Sequence, residues 1–517
     1  MPIKPDDSNG VRRTAHESDA RYRANVHPVD WQNPAPADRY HLVVIGAGTA
    51  GLVSAAIAAG LGARVALVER HLMGGDCLNV GCVPSKGMIR AARAWHAARS
   101  AAAHFGGPRA DGDGDFAAAM ARTRTLRADM SHVDAAARFR DLGVDVFLGD
   151  GRLTARDVVS VRDAAGGDAN LRFRRAIIAT GARAVAPHIE GLESAGYLTN
   201  ETVFDLDVRP AHLLVVGGGP IGCELAQAFA RLGSAVTILN ADERLLPRDD
   251  PDAGRIVQRS LEADGVAIHH QARVVHARRD GSSRVLGYET GGSRIEVRGD
   301  AILVAAGRAP NVEGLGLDTA GVRFDPAGID VNDRFRTSNG RVFAIGDCAS
   351  RFQFTHAADA QARLVVPNAL FFGAGGGKAS DLVMPWCTYT SPEVAHVGMT
   401  AGEAAAAGDT VDTITVWLEH VDRAVLDGDT QGFFRVYLAR GTDRIRGATF
   451  VADHAGEIIS EVTAAMVNGV GLGALGRTIH PYPTHAEAIR KAADAYRRTR
   501  LTPFAKRLFA LFFRATR

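Results

Sequence analysis

Lysine is nearly absent from this chain: only five of its 60 basic residues are lysines, the rest being arginine. Cysteine is scarce as well, five in 517 residues. An odd handful of scattered cysteines does not make the disulfide framework of a small secreted protein. No run of about 18 apolar residues occurs, so no membrane-crossing helix is expected. The first residues lack the charged-then-apolar pattern of a secretory signal, which makes the cytoplasm the expected compartment. Neither sign of charge dominates, with 60 basic side chains against 58 acidic ones and a net charge of +2. That balance gives no electrostatic ground for a nucleic-acid partner. The hydrophobic fraction of 46% and the charged fraction of 23% are those of an ordinary soluble globular protein. Its length exceeds what one hydrophobic core organises, and about three domains are expected.

What the chain does contain is a repeated pattern. Residues 41–69 read as strand, glycine-rich turn, helix and strand: an apolar run to Ile45, then Gly46-Ala-Gly48-Thr-Ala-Gly51, an alanine-rich helix, and Val65 to Glu69. Backbone N–H groups at such a helix start suit a pyrophosphate, and the acid closing the second strand suits ribose hydroxyls. Glu69 follows Gly46 by 23 residues. The pattern recurs from Leu213 through Gly217-Gly-Gly219-Pro-Ile-Gly222, a helix to Leu232 and a strand from Ala235. The same 23-residue offset from Gly217 lands on Asn240. Two dinucleotide sites in one chain, the first followed by a cysteine pair, imply a flavin site and a nicotinamide site.

The cysteine pair lies in Gly74-Gly-Asp-Cys77-Leu-Asn-Val-Gly-Cys82-Val-Pro-Ser-Lys86. The residues after it read as helix, so the pair is expected on an opening helical turn, where Pro84 is tolerated. A helix N-terminus and a nearby lysine both favour thiolate over thiol, as attack on a disulfide or binding of a soft metal requires. Taken alone, the pair could equally be two inert buried thiols.

In this context the segment resembles the redox-active segment of the FAD-dependent pyridine nucleotide–disulfide oxidoreductases. This group includes dihydrolipoamide dehydrogenase, glutathione reductase and mercuric reductase, and the wording is most similar to the mercuric-reductase-like branch. The resemblance covers roughly residues 40–495. It implies an α/β fold with two Rossmann-like dinucleotide-binding domains, for FAD and NAD(P), plus an α+β dimerisation domain. The implied division is an N-terminal extension (1–39), FAD domain (40–190 and 312–382), NAD(P) domain (191–311), dimerisation domain (383–496) and basic tail (497–517).

It further implies FAD contacts at Gly46, Gly48, Gly51, Glu69, Ala179, Thr180, Gly181, Asp347 and Ala357, and cofactor contacts at Gly75, Lys86 and Gly307. Nicotinamide-cofactor contacts fall at Gly217, Gly219, Gly222 and Asn240. Electrons would pass from NAD(P)H to FAD, then to a Cys77–Cys82 disulfide, with Cys82 nearer the flavin and Cys77 meeting the external acceptor. Glu224 would pair with Lys86, although by itself it reads as an ordinary exposed glutamate at a helix start.

In the stretch His480-Pro-Tyr482-Pro-Thr-His485-Ala-Glu487, disulfide-reducing members carry a histidine where Tyr482 stands. That histidine is held by the glutamate matching Glu487 and arrives from the second subunit of a homodimer. Histidine titrates near pH 7 and tyrosine near 10. Mercuric reductases carry tyrosine at this place, and thiolates bind soft metals well. A soft metal ion is therefore the expected acceptor, with a dihydrolipoamide-type disulfide reductase or a non-catalytic redox sensor as alternatives. No separate metal site is expected. Against mercury itself, the chain lacks the C-terminal vicinal cysteines and the N-terminal Cys-x-x-Cys module of typical mercuric reductases.

Three features are left open. Asn240 removes the acid that repels a 2′-phosphate, and Arg244 or Arg248 could pair with it, so NADPH is expected; Asp242 or Glu243 could instead restore NADH binding. Residues 1–39, with five prolines and balanced charge, read as a loosely attached arm or as an extension partly packed on the FAD domain. The tail from Arg497 to Arg517 carries seven basic residues and no acid, interleaved with Leu508-Phe-Ala-Leu-Phe-Phe513. It reads as a terminal helix packed on its own protein or as an amphipathic segment for a membrane surface.

Overall fold

The computed structural model describes residues 17–516 except 113 and 372. The chain is α/β, and its Cα packing divides it into two compact units. One takes residues up to Gly217 with Ala228–Leu239 and Ala272–Leu382. The other takes Gly218–Gln227, Asn240–Gln271 and the chain from Val383 onward.

The first unit is built on a parallel sheet. Strands β1 (Tyr40–Ile45), β2 (Val65–Glu69), β3 (Val144–Leu148) and β6 (Asp168–Ile178) lie in the order β3–β2–β1–β6, with Val342–Ala344 on the far side of β6. The β1–β2 register sets Ile45 against Val68, and β1–β6 sets Ile45 against Ile178. Continuous apolar runs such as Val65–Val68 are what a sheet covered on both faces requires. Successive side chains point to opposite faces. Leu42, Val44 and Leu67 thus join one core with helix α2 (Thr49–Gly60) and the helix Thr355–Leu370. Val43, Ile45 and Val68 join a second core with β4 (Asp150–Ala155) and β5 (Val158–Arg162). The first half of β6 pairs antiparallel with β5 and the second half parallel with β1, so one strand carries both layers.

The repeated pattern gives a second parallel layer in this unit, with His212–Val216 paired to both Ala235–Leu239 and Ala301–Val304.

The N-terminal extension is not a loose arm over its described part. Helix α1 (Glu17–Val26) sends Tyr22 and Val26 into the first core. Trp31 Nε1 donates to the Val146 carbonyl. Asn33 and Leu148 exchange two hydrogen bonds of 3.1 and 2.8 Å, covering the exposed edge of β3. This matches the second of the two sequence readings, an extension partly packed on the FAD domain; α1 is mostly polar, and Tyr22 and Val26 are its core contacts. Residues 1–16 lie outside the described residues.

The second unit centres on an antiparallel sheet in the order Pro385–Thr388, Glu393–Gly398, Ile445–Ala452, Phe433–Ala439, Val411–Trp417. Helices Ala455–Val467 and Glu487–Thr499 bury Ile459, Val462, Ile489 and Ala493 against it, giving the α+β arrangement expected of a dimerisation domain.

Candidate active site around Cys77 and Cys82

The glycine-rich turn after β1 is held open by backbone contacts that no side chain could share. Gly46 has φ +102°, and a Cβ there would lie 2.4 Å from the Ala179 carbonyl oxygen. A Cβ on Gly75 would lie 2.5 Å from Gly48 Cα, so the cysteine segment begins backbone-to-backbone against the turn. Helix α2 starts after Gly48 with no side-chain cap, leaving its first N–H groups for a ligand. Gly51 lies in its first turn. Glu69, buried at the end of β2, accepts from the Ala47 and His71 N–H groups, both at 2.7 Å.

Around this turn Thr180 Oγ1 donates to the Asn311 carbonyl at 2.7 Å, and Asn311 Nδ2 donates back to the Thr180 carbonyl at 2.9 Å. Ala179 N–H donates to Ile45, Gly181 has φ +69°, and the Gly307 carbonyl accepts from Val185. Ala357 is fully buried on the helix Thr355–Leu370. An uncapped helix start, close-packed glycines and a buried acid fit an FAD pyrophosphate and ribose.

The cysteines do not share one helical turn. Cys77 sits in the short helix α3 (Gly75–Asn79), whereas Cys82 is the first residue of α4 (Cys82–Phe105). Between them the chain folds back so tightly that a Cβ on Gly81 would lie 2.7 Å from the Asp76 carbonyl oxygen. That reversal brings the two thiols together, and they are not joined in a disulfide. The hydrogen bond with Cys82, then burial, push the Cys77 thiol well up, while Thr355 opposes this. The bond to Cys82 and burial thus act against the thiolate that a helix start and a nearby lysine favour at Cys77. Cys82 Sγ is 3.5 Å from Thr355 Oγ1. Lys86 follows one turn later on α4, half-buried.

Sequence reasoning missed three groups of residues around this pair. Arg308 ion-pairs with Asp76, next to Cys77, and lies 3.6 Å from Asp347. Burial pushes the Asp347 carboxyl up to about 6, and Arg308 draws it back. Thr355, the first residue of the helix Thr355–Leu370, is the second. The third group reaches the loop between the cysteines: Tyr22 OH donates to Asn79 Oδ1 at 2.5 Å, and Arg127 Nη1 donates to the Asn79 carbonyl at 3.1 Å. Arg308 follows Gly307 directly and was findable; Tyr22, 57 residues before Asn79, left no local signal.

In the second glycine pattern, Gly217 has φ +115° and a Cβ there would lie 2.6 Å from the Ala305 carbonyl oxygen. In the second unit Gly222 lies on the helix Pro220–Arg231, and a Cβ on Gly219 would meet nothing. Asn240 is buried and donates through Nδ2 to the Asp242 and Arg244 carbonyls at 3.0 and 2.9 Å. It thus braces the loop that follows, and its amide donor is already in use. Arg244 donates through Nη2 to Pro247, while its Nη1 is buried with no hydrogen-bond partner among the described residues.

Glu224 is buried rather than exposed, and accepts from the Tyr389 N–H at 2.8 Å. Tyr482 is 71% exposed and donates to Asp422 Oδ2 at 3.0 Å. That carboxylate raises the tyrosine pKa further. Glu487 is buried and pairs with Arg490 at 2.5 Å, so it is Asp422 that engages the tyrosine. His480 meets Glu461 at 3.0 Å, and burial lowers the pKa of His485.

Residues 40–362 match the pyridine nucleotide-disulphide oxidoreductase family, and residues 384–493 match its dimerisation domain. The chain is similar to the mercuric reductase of Streptomyces lividans, 36% identical over 464 residues, spanning 88% of this chain and 96% of that one. It is also similar to the dihydrolipoyl dehydrogenase of Bacillus subtilis, 31% identical over 474 residues, spanning 89% and 98%. Among solved structures it resembles the Cu(II) complex of the HOCl-induced flavoprotein disulfide reductase RclA from Escherichia coli. That match has a TM-score of 0.78 at 27% identity, and covers 89% of this chain and 100% of that one.

Proposed function

The chain belongs to the pyridine nucleotide–disulphide oxidoreductase family, FAD-dependent enzymes with NAD(P)H as electron donor, and we propose that this member reduces a soft metal ion. When bound, FAD supplies the two-electron couple between the nicotinamide and the cysteine pair. Gly46, Gly48, Gly51 and Glu69 would hold its pyrophosphate and ribose, with Ala179, Thr180, Gly181, Asp347 and Ala357 around the rest; Gly75, Lys86 and Gly307 are read as cofactor contacts. The assigned domains are 40–190 with 312–382 for FAD, 191–311 for the nicotinamide cofactor and 383–496 for dimerisation.

Cys77 sits in the short helix α3, whereas Cys82 opens α4 with its sulfur 3.5 Å from Thr355 Oγ1. Cys82 is the sulfur on the FAD side, and Cys77 is the one that meets the acceptor. Lys86 on α4 and the buried Glu224 are kept as site residues on the family resemblance. Two thiols brought together also form a ligand pair for a soft ion.

The observation that carries the reading is Tyr482. A phenol bonded to Asp422, with its pKa raised, does not exchange protons near pH 7 as a disulfide reductase needs. The named similarities to a mercuric reductase and to a Cu(II) complex of a disulfide reductase support the metal reading. The second reading, a dihydrolipoamide-type disulfide reductase, is supported by the match to the Bacillus subtilis enzyme. Anaerobic reduction followed by reoxidation with a panel of metal ions and disulfides separates the two. Arg244, with a buried nitrogen lacking a partner, supports NADPH over NADH. The dimerisation domain supports a homodimer; the enzyme is read as cytoplasmic, with residues 497–517 in peripheral membrane contact.

A further inference from the structure

Residues after 493 lie beyond both matched family segments, so the tail is no part of the shared machinery. Thr502 caps a 13-residue helix, Pro503–Ala515, by accepting from the Ala505 N–H. This helix has no buried residue. Phe504, Leu508, Phe509, Leu511, Phe512 and Phe513 are each between 50% and 75% exposed. At 3.6 residues per turn they cover more than half of the helix circumference, leaving a narrow face to Lys506, Arg507 and Arg514. An apolar patch of this kind on a soluble protein marks an interaction surface.

We propose that this helix seats the enzyme on the surface of an anionic phospholipid bilayer. It lies in the plane of the interface, with the phenylalanines and leucines among the acyl chains and the basic face toward the headgroups. Thirteen residues make about 20 Å of helix, short of the roughly 30 Å hydrocarbon core, so the segment lies on a bilayer and does not cross it. Charge selects the occupant. Seven basic residues and no acid from Arg497 to Arg517 attract an anionic surface, and they repel the same tail on a second copy. The apolar arc, from Leu511 through Phe504, Leu508, Phe512 and Phe509 to Phe513, is wide enough to suit a surface that yields around it. The rest of the chain cannot supply the attraction, because removing the tail's seven positive charges from a total of +2 leaves it at −5. Lipid binding extends the peripheral contact proposed for residues 497–517 and does not depend on which acceptor takes the electrons.

The test is co-sedimentation of the full-length, FAD-loaded protein with two kinds of vesicle, phosphatidylcholine alone and phosphatidylcholine mixed with phosphatidylglycerol. Binding is expected on the anionic vesicles only, and is released at about 1 M salt, where the Debye length is about 3 Å. Replacing Lys506, Arg507 and Arg514 by glutamate weakens binding at least about fivefold per residue. Leu508→Asp with Phe512→Asp abolishes it, and flavin reduction by NAD(P)H stays unchanged in both variants as the fold control. Equal binding to both vesicles overturns the anionic-lipid assignment and leaves peripheral contact standing. Absence of binding to either overturns both. A higher oligomer dissolved by Leu508→Asp, with no vesicle binding, makes a second copy the occupant and also overturns the proposal.

Discussion

Tyr22→Phe is expected to loosen the loop between the two cysteines. The Tyr22 hydroxyl is buried and donates to Asn79 Oδ1 at 2.5 Å. Asn79 in turn donates through Nδ2 to the Met73 carbonyl at 3.1 Å and receives Arg127 on its own carbonyl. The Arg127 guanidinium also lies 4.5 Å from the Tyr22 ring centroid, a contact that phenylalanine keeps. The substitution therefore removes one oxygen, opens little space, and leaves Asn79 Oδ1 short of a donor. A buried acceptor left unsatisfied costs about 1–3 kcal/mol, which sets the expected loss of stability.

Burial raises the Tyr22 pKa to about 12, so the hydroxyl is a neutral donor throughout the physiological range. A folded pKa above the ordinary tyrosine value of about 10 fixes the sign of the pH effect. The contribution is fully present below about pH 10 and is lost as pH rises through about 12. Urea unfolding followed by flavin fluorescence should show a lower midpoint for the variant at neutral pH with an unchanged slope. The gap should narrow between about pH 10 and 12 as wild type weakens faster. An unchanged midpoint at neutral pH, or a gap that widens with alkali, would refute the reasoning.

Tyr482→Phe is expected to slow reoxidation of the reduced enzyme by metal ions while leaving its reduction by NAD(P)H intact, as stopped-flow measurement of the two half-reactions can separate. Tyr482→His should raise activity toward disulfides, since it supplies a group that titrates near pH 7. Equal losses in both half-reactions would make Tyr482 a packing residue. Arg244→Ala should lower kcat/KM for NADPH about tenfold, or about 1.4 kcal/mol of transition-state binding, and leave that for NADH unchanged. An equal effect on both cofactors would mean that Arg244 only braces its loop.

The fold was legible because its signals are local. Apolar runs, the two glycine turns and the 23-residue offset are written in adjacent residues, and Gly46 and Glu69 fall where those signals put them. The cysteine pair was legible as a pair but not in shape, since the reversal at Gly81 depends on backbone passing close to Asp76. Contacts between distant residues were hidden. Tyr22 and Asn79, or Arg308 and Asp76, meet only after β1, β2 and β6 are assembled. Asn240 was read as a residue facing a ribose, whereas its amide is spent on backbone carbonyls that the sequence does not reveal as near. For helix α1 two readings, loose arm or packed extension, stayed open in the sequence, because Tyr22 and Val26 alone make no apolar periodicity.

The central claim is that electrons leave through the Cys77–Cys82 pair to a soft metal ion. Its most direct test is anaerobic reduction of the flavoprotein by NADPH, followed by timed reoxidation with mercuric or cupric ion, lipoamide or glutathione disulfide. The same series is run on Cys77→Ser and Cys82→Ser. The account predicts a long-wavelength absorbance band that Cys82→Ser abolishes, fast reoxidation of wild type by the metal ions, slow reoxidation by the disulfides, and loss of the metal reaction in both variants. Faster reoxidation by a disulfide, or variants that reduce and reoxidise like wild type, would contradict it.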